Sequence, residues 1–320
     1  MSCADLQPPG ARAEVPVVIR VVRALPALVL AAALAVGLAG PAAPDAAPAS
    51  VPVADVQPTW PITAAFTYGW GQSRSQATPL LGSDDTRSIA VAKRHVATMR
   101  YMGMAAGISS WWGAGSASDQ RIRNQLRAAD GTPFRWALYY ELEGPQYADP
   151  SPAKIRADLA YIKAEYGADR SYLRIGGKPV LFVWAGPNDR CGMNARWRAA
   201  NTLGFHVVLK RFQHFASCPD QPQSWHDYGP ATRVLDNRPW SVSVSPGFHS
   251  VGEARPRLAR DPAAWHAALK RMKASGARWQ LVTTLNEWGE GTAVEAAVQW
   301  RSWTGHGRYA DLSHATYGSR

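Results

Sequence analysis

The chain has 320 residues, 46% of them hydrophobic, and fourteen are Trp. That composition excludes a disordered or fibrous protein and calls for a sizeable core. The formal net charge is +11, but Arg is dispersed and no Lys/Arg run reaches five residues, so the excess reads as solvated surface and not as a nucleic-acid footprint.

In chain order, residues 1–43 read as a secretory signal or an N-terminal anchor. Arg20 and Arg23 precede an apolar run from Ala24 to Gly40, and small residues follow from Ala39 to Ala47, the order of an export signal. The run holds Pro26 and is short for a membrane span. Residues 44–59 are Pro/Ala-rich and read as a linker, which leaves one folded domain over 60–320. Cys3 lies in the leader, so export leaves Cys191 and Cys218 as an even pair in an oxidising compartment. They are read as a disulfide; two unpaired buried thiols are the alternative.

Strands and helices then alternate. Apolar or β-branched runs predict strands at 62–68, 104–110, 134–140, 179–184, 205–210, 240–245 and 279–285, with a shorter one at 224–228. Helical spacing fills 86–102, 117–129, 195–203 and a short segment at 231–236. Two further helices open at Ser151-Pro152 and Asp261-Pro262, where Pro suits the first turn, and close at Gly167 and Gly276. Gly176-Gly177 reads as a turn into the fourth strand. About eight strands, each followed by a helical segment, give the rhythm of a (β/α)8 (TIM) barrel in a single catalytic domain. A doubly wound sheet is disfavoured because no Gly-x-Gly-x-x-Gly follows the first strand.

A barrel gathers the C-terminal ends of its strands around one pocket. Here those ends carry Tyr68, Trp70, Trp111, Trp112, Tyr140, Glu141, Trp184 and Phe248. The last strand runs into Asn286-Glu287-Trp288-Gly289-Glu290-Gly291, followed by Glu295. Aromatic faces stack on the C–H faces of sugars, and paired carboxylates divide acid and base work when their environments separate their pKa values. Any single aromatic of this set is more often core than platform; the recurrence after at least five strands carries the argument. Other chemistries lack their motifs: there is no His-Glu-x-x-His and no Gly-x-Ser-x-Gly. An Asn-Glu dipeptide also marks a large clan of retaining β-glycosidases, but there it ends the fourth strand, and here it ends the last.

The stretch from Thr284 to Glu295 resembles the last-strand signature of glycoside hydrolase family 99 and its family 71/99-like relatives. Ser110-Trp111-Trp112-Gly113, Tyr139-Tyr140-Glu141, Gly177 to Trp184 and Ser245-Pro246-Gly247-Phe248 fall in matching order. The resemblance implies a barrel enzyme acting on α-mannosidic glycans with retention. Glu290 then corresponds to the general acid/base, Glu287 to the base that deprotonates the substrate's own 2-hydroxyl, and Glu141 to an acidic residue of the sugar subsite. Trp288, between the two glutamates, joins the expected sugar-binding set. Gly289 stands where the family usually has His, and Ala296 where Pro is common, which widens the expected substrate to an α-mannan-like or α-glucan-like glycan. The expected partner is an oligo- or polysaccharide. No cofactor, metal or nucleic acid is expected, and no membrane contact beyond an N-terminal anchor. The protein is expected to be a monomer, secreted or held at the cell surface. The competing reading is a non-catalytic carbohydrate-binding protein on a hydrolase scaffold; a metal-dependent deacetylase or lyase is a weaker third.

Overall fold

The structure is a computed structural model that describes residues 56–71, 75–144, 147–186 and 188–318. The expected leader and most of the expected linker lie outside the described residues. The strands are β1 (Ile62–Thr67), β2 (Ala106–Trp111), β3 (Arg135–Tyr140), β4 (Arg174–Ile175), β5 (Lys178–Val183), β6 (His206–Lys210), β7 (Ser224–His226), β8 (Val234–Asn237), β9 (Ser241–Val244) and β10 (Trp279–Val282). The helices are α1 (Ile89–Tyr101), α2 (Asp119–Ala129), α3 (Pro152–Glu165), α4 (Cys191–Ala200), α5 (Pro262–Ala274) and α6 (Arg308–Tyr317).

Eight of the strands pair in parallel in the order β7-β6-β5-β3-β2-β1-β10-β9, and helices intervene between most of them. The result is a nearly closed, mostly parallel α/β barrel. Among the described residues no backbone ladder joins β7 to β9; the Ser243 hydroxyl bridges that seam by donating to the Asp227 carbonyl at 2.7 Å. The order departs from a regular strand–helix alternation in two places. After β6 the chain makes only a short 3-10 turn, Phe215–Ser217. After β7 the segment expected to be helical at 231–236 instead forms β8, antiparallel to β9. The open edge of β9 offers a row of backbone groups, and Val234-Leu235 satisfies them better than a single helical turn would.

Local chemistry accounts for the other boundaries. Ser151 Oγ accepts from the Lys154 amide at 3.2 Å, and Asp261 Oδ1 accepts from Ala263 and Ala264 at 2.8 and 3.1 Å, each just before a first-turn Pro. Gly176 and Gly177, with φ of +56° and +76°, make the two-residue turn of the β4–β5 hairpin, which L side chains would strain. Cys191 at the start of α4 is disulfide-bonded to Cys218, fastening that helix to the segment after β6.

Side chains sort into two cores by the alternation of the strands. Ile62, Ala64 and Phe66, Ala106 and Ile108, Ala137 and Tyr139, Val180 and Phe182, Val208, and Trp279 and Leu281 fill the barrel interior. Their neighbours Ala65, Trp136, Leu138, Leu181, Val183, Val207 and Leu209 pack outward against the helices. This parity decides which residues at the strand ends can enter the pocket.

Candidate active site

The floor of the pocket is aromatic. Phe66 and Phe182 lie 5.7 and 5.2 Å from the His226 ring, with Tyr139 at 5.5 Å. Burial holds His226 neutral by lowering its pKa to about 3. Above this layer the inward parity continues past each strand: 66 to Tyr68, 110 to Trp112, 139 to Glu141, 182 to Trp184, 208 to Lys210 and 226 to Tyr228. The Tyr68 and Tyr228 hydroxyls share a hydrogen bond of 2.8 Å across the barrel mouth. Burial raises both phenol pKa values. Tyr228 and the charges of Glu141, Glu287 and Glu290 add to it at Tyr68, and Glu290 and Glu287 add to it at Tyr228. All three predicted glutamates therefore act on Tyr68, and Glu287 and Glu290 act on Tyr228 as well.

Each glutamate has its own support. Glu141 is buried, and its Oε1 accepts from Ser110 Oγ at 2.7 Å, while that hydroxyl accepts from Trp112 Nε1 at 2.9 Å. Burial pushes Glu141 up to about 8; Ser110 opposes this, Glu290 adds to it and Lys210 opposes it. Glu287 begins a turn whose amide donates to Thr284 Oγ1 at 2.8 Å and whose carbonyl accepts from the Thr292 amide at 3.1 Å. Glu290 is half-buried, and its Oε2 is enclosed with no hydrogen-bond donor among the described residues. Burial pushes Glu290 up to about 7, with Arg257 opposing and Glu253 adding.

The turn carrying the last two glutamates is laced to the segment after β9. The amides of His249 and Val251 donate to the carbonyls of Glu290 and Gly289, both at 2.9 Å. Arg260 Nη2 donates to the carbonyls of Gly291 and Ala293 at 2.9 and 2.6 Å. Gly291 has φ +64°, and a Cβ there would meet the His249 carbonyl oxygen at 2.8 Å, so this position takes no other residue without strain.

The aromatic set divides. Trp112 and Trp184 are half-buried with inward parity, and Trp70 is half-buried with its ring edge-on to Tyr68 at 5.1 Å. Trp111 and Tyr140 are corrections: both have outward parity, are fully buried and belong to the helix-side core. Trp111 Nε1 donates to Asp119 of α2 at 2.7 Å, and the Tyr140 hydroxyl donates to Asp158 of α3 at 2.8 Å. Trp288 is also core, stacked at 6.0 Å on Trp300 with its Nε1 bonded to Asp84. Phe248 is buried, and the Arg257 guanidinium covers its ring at 3.9 Å, leaving no face for a sugar.

Two site residues were not expected from the sequence. Tyr228 is the first. The second is Lys210, whose Nζ lies 4.8 Å from the Trp184 ring centre and donates to the Ala185 carbonyl at 2.6 Å. Burial lowers the Lys210 pKa against the pull of Asp227, Asp189 and Glu141. Both residues continue the inward register of β6 and β7 and border an open cleft of about 590 Å³.

Among the described residues, two groups bring three carboxylate or imidazole ligand atoms within 4.8 Å: Asp84, His95 and Glu295, and Glu143, Asp149 and Asp189. In the second, Glu143 accepts from Trp197 Nε1 at 2.6 Å and Arg196 Nη2 at 2.8 Å, and Asp149 accepts from Arg196 Nη1 at 2.9 Å. In the first, both Asp84 oxygens are committed to N–H groups. Both groups are hydrogen-bonded clusters as they stand.

Two solved structures of the GH99 endo-α-mannosidase from Bacteroides thetaiotaomicron, one in complex with Bis-Tris propane, are similar to this chain. Each has a TM-score of 0.62, at 18% and 17% identity; 82% of this chain is covered in both, with 96% and 98% of theirs. A structure described as a glycoside hydrolase-like protein has a TM-score of 0.59 at 13% identity, over 80% of this chain and 93% of that one. At these identities the likeness is one of fold. No family model and no curated protein matches the sequence.

Proposed function

We propose that the chain is a retaining glycoside hydrolase on a (β/α)8 barrel, cleaving an α-linked glycan of the α-mannan kind, in which the 2-hydroxyl lies trans to the leaving oxygen. The observation that carries this reading is the gathering of Glu141, Glu287 and Glu290 near Tyr68 at the barrel mouth, with Glu290 raised to about 7. A carboxyl with that pKa still holds a proton near neutrality and can deliver it to a leaving oxygen. In the proposed sequence Glu290 protonates the glycosidic oxygen as the C1–O bond breaks. Glu287 takes the proton of the substrate's 2-hydroxyl, whose oxygen closes on C1 to give a 1,2-anhydro sugar. Water then adds to C1 from the side the leaving group vacated. Glu290 takes the water's proton, and Glu287 returns its proton to O2, so both carboxyls end as they began. Trp70, Trp112 and Trp184 supply partly exposed rings for stacking, and Glu141, neutral at its raised pKa, donates to a sugar hydroxyl.

The Cys191–Cys218 disulfide supports export to an oxidising compartment. The test is digestion of a panel of α-mannans and α-glucans, with the anomer of the first product read by NMR. Glu290→Gln should lower turnover about a hundred- to ten-thousand-fold on natural glycans and much less on substrates with activated leaving groups. Full turnover by that variant, or glycan binding without any hydrolysis by the unaltered protein, would overturn the assignment.

A further inference from the structure

The two residues that bracket Glu287 are tied to one buried carboxylate. Trp288 Nε1 donates to Asp84 Oδ2, and Asn286 Nδ2 lies 3.3 Å from the same oxygen. Asp84 is only 3% exposed and belongs to the segment between β1 and α1. Its Oδ1 meets His95 Nε2, from α1, at 3.2 Å. The same imidazole nitrogen lies 3.6 Å from Glu295 Oε1, in the segment after β10. Asn286 has a second duty. Its Oδ1 accepts from the Tyr68 amide at 2.9 Å and its Nδ2 donates to the Tyr68 carbonyl at 2.8 Å. One carboxylate thus reaches both neighbours of Glu287 and, through Asn286, the tyrosine that all three glutamates face.

Two buried carboxyls in contact do not both ionise. Asp84 collects N–H donors, whereas neither oxygen of Glu295 has a donor among the described residues. Burial works against the Asp84 charge, but His95 and the Trp288 N–H hold its pKa below the ordinary range. Burial and then Asp84 push Glu295 well above that range, with Arg94 opposing. Asp84 is the anion and Glu295 the neutral acid.

We propose that Asp84 is a positioning residue for catalysis: held by His95, it fixes Asn286 and Trp288 from behind so that Glu287 and Glu290 meet the substrate in register. The kinetic consequence rests on the glycosidase reading; the structural one does not. A displacement of about 1 Å at reacting groups costs roughly a hundredfold in rate, and Asp84→Asn should lower kcat by about that factor while KM stays nearly constant. Glu295→Gln keeps a neutral side chain of the same shape beside Asp84, so kcat should hardly change. The Trp288 indole N–H resonance, assigned by its loss in Trp288→Phe, should shift in Asp84→Asn and stay in place in Glu295→Gln. Trp288→Phe keeps an aromatic side chain but removes the five-membered ring with its N–H donor, and its kcat should also fall with KM retained. That variant decides the matter if Asp84→Asn does not fold. Equal damage from Asp84→Asn and Glu295→Gln, an unmoved indole resonance in Asp84→Asn, or full kcat in Trp288→Phe would overturn the proposal. If the unaltered protein hydrolyses no glycan, the functional reading fails by itself and the indole resonance still judges the role of Asp84.

Discussion

Glu141 shows what burial does to a single carboxyl. Its folded-state pKa of about 8 lies well above the roughly 4.3 of an unfolded glutamate. Between those values the folded protein keeps a proton that the unfolded chain has released, so stability falls as pH rises. The contribution is fully present below about pH 4.3 and is lost as pH climbs through about 8. Glu290 and Glu143, each raised to about 7 chiefly by burial, act with the same sign. Thermal unfolding should therefore show a higher midpoint at pH 5 than at pH 8, and Glu141→Gln should reduce that difference. Parallel curves for the two proteins would mean that Glu141 does not hold its proton. The activity limb is separate: with Glu290 as the acid, kcat should decline as pH passes about 7.

At the scale of one strand, β2 explains both what could be read and what was missed. Its motif Ser110-Trp111-Trp112-Gly113 was legible as a strand end with sugar-binding character, yet adjacent tryptophans on a strand point to opposite faces. Following the interior set 106, 108 and 110 one step further selects Trp112 and rejects Trp111. The same count on β3 selects Glu141 over Tyr140. On β6 and β7 it would have found Lys210 and Tyr228. What obscured β7 is that its alternation is inverted: the polar Ser224 and His226 have inward parity while the apolar Trp225 packs outward against the helices. Phe248 and Trp288 were beyond any local pattern, since what covers them, Arg257 and Trp300, depends on tertiary packing. The division has a direct test. Trp111→Ala removes a ring bonded to Asp119, which also binds Tyr161 and Tyr166, and should cost about 3–5 kcal/mol in denaturant unfolding. Trp112→Ala should leave the unfolding midpoint nearly unchanged and weaken glycan binding. The reverse pattern would return Trp111 to the site.

Across the whole molecule, the parallel strands were readable because each is buried on both faces and so carries a continuous apolar run. Closure was not readable, because it depends on partners far apart in sequence. The β7–β9 seam is bridged by Ser243 Oγ donating to the Asp227 carbonyl, and beside it Trp279 Nε1 of β10 donates to Ser224 Oγ of β7 at 2.9 Å. β8 adds an antiparallel ladder to β9 but leaves its own outer edge unpaired among the described residues. A strand edge without a ladder opens at lower free energy than one held on both sides. Peptides spanning 224–237 should then exchange backbone hydrogens faster than those spanning 62–67 and 106–111, where β1 and β2 each have two parallel neighbours. Because Tyr228 follows β7 and pairs with Tyr68, a glycan held at that tyrosine pair should slow exchange at the seam more than in β1 or β2. Equal protection of both regions in the free protein would show that the seam is as tightly held as the laddered strands and that the barrel is closed by more than these two side-chain hydrogen bonds.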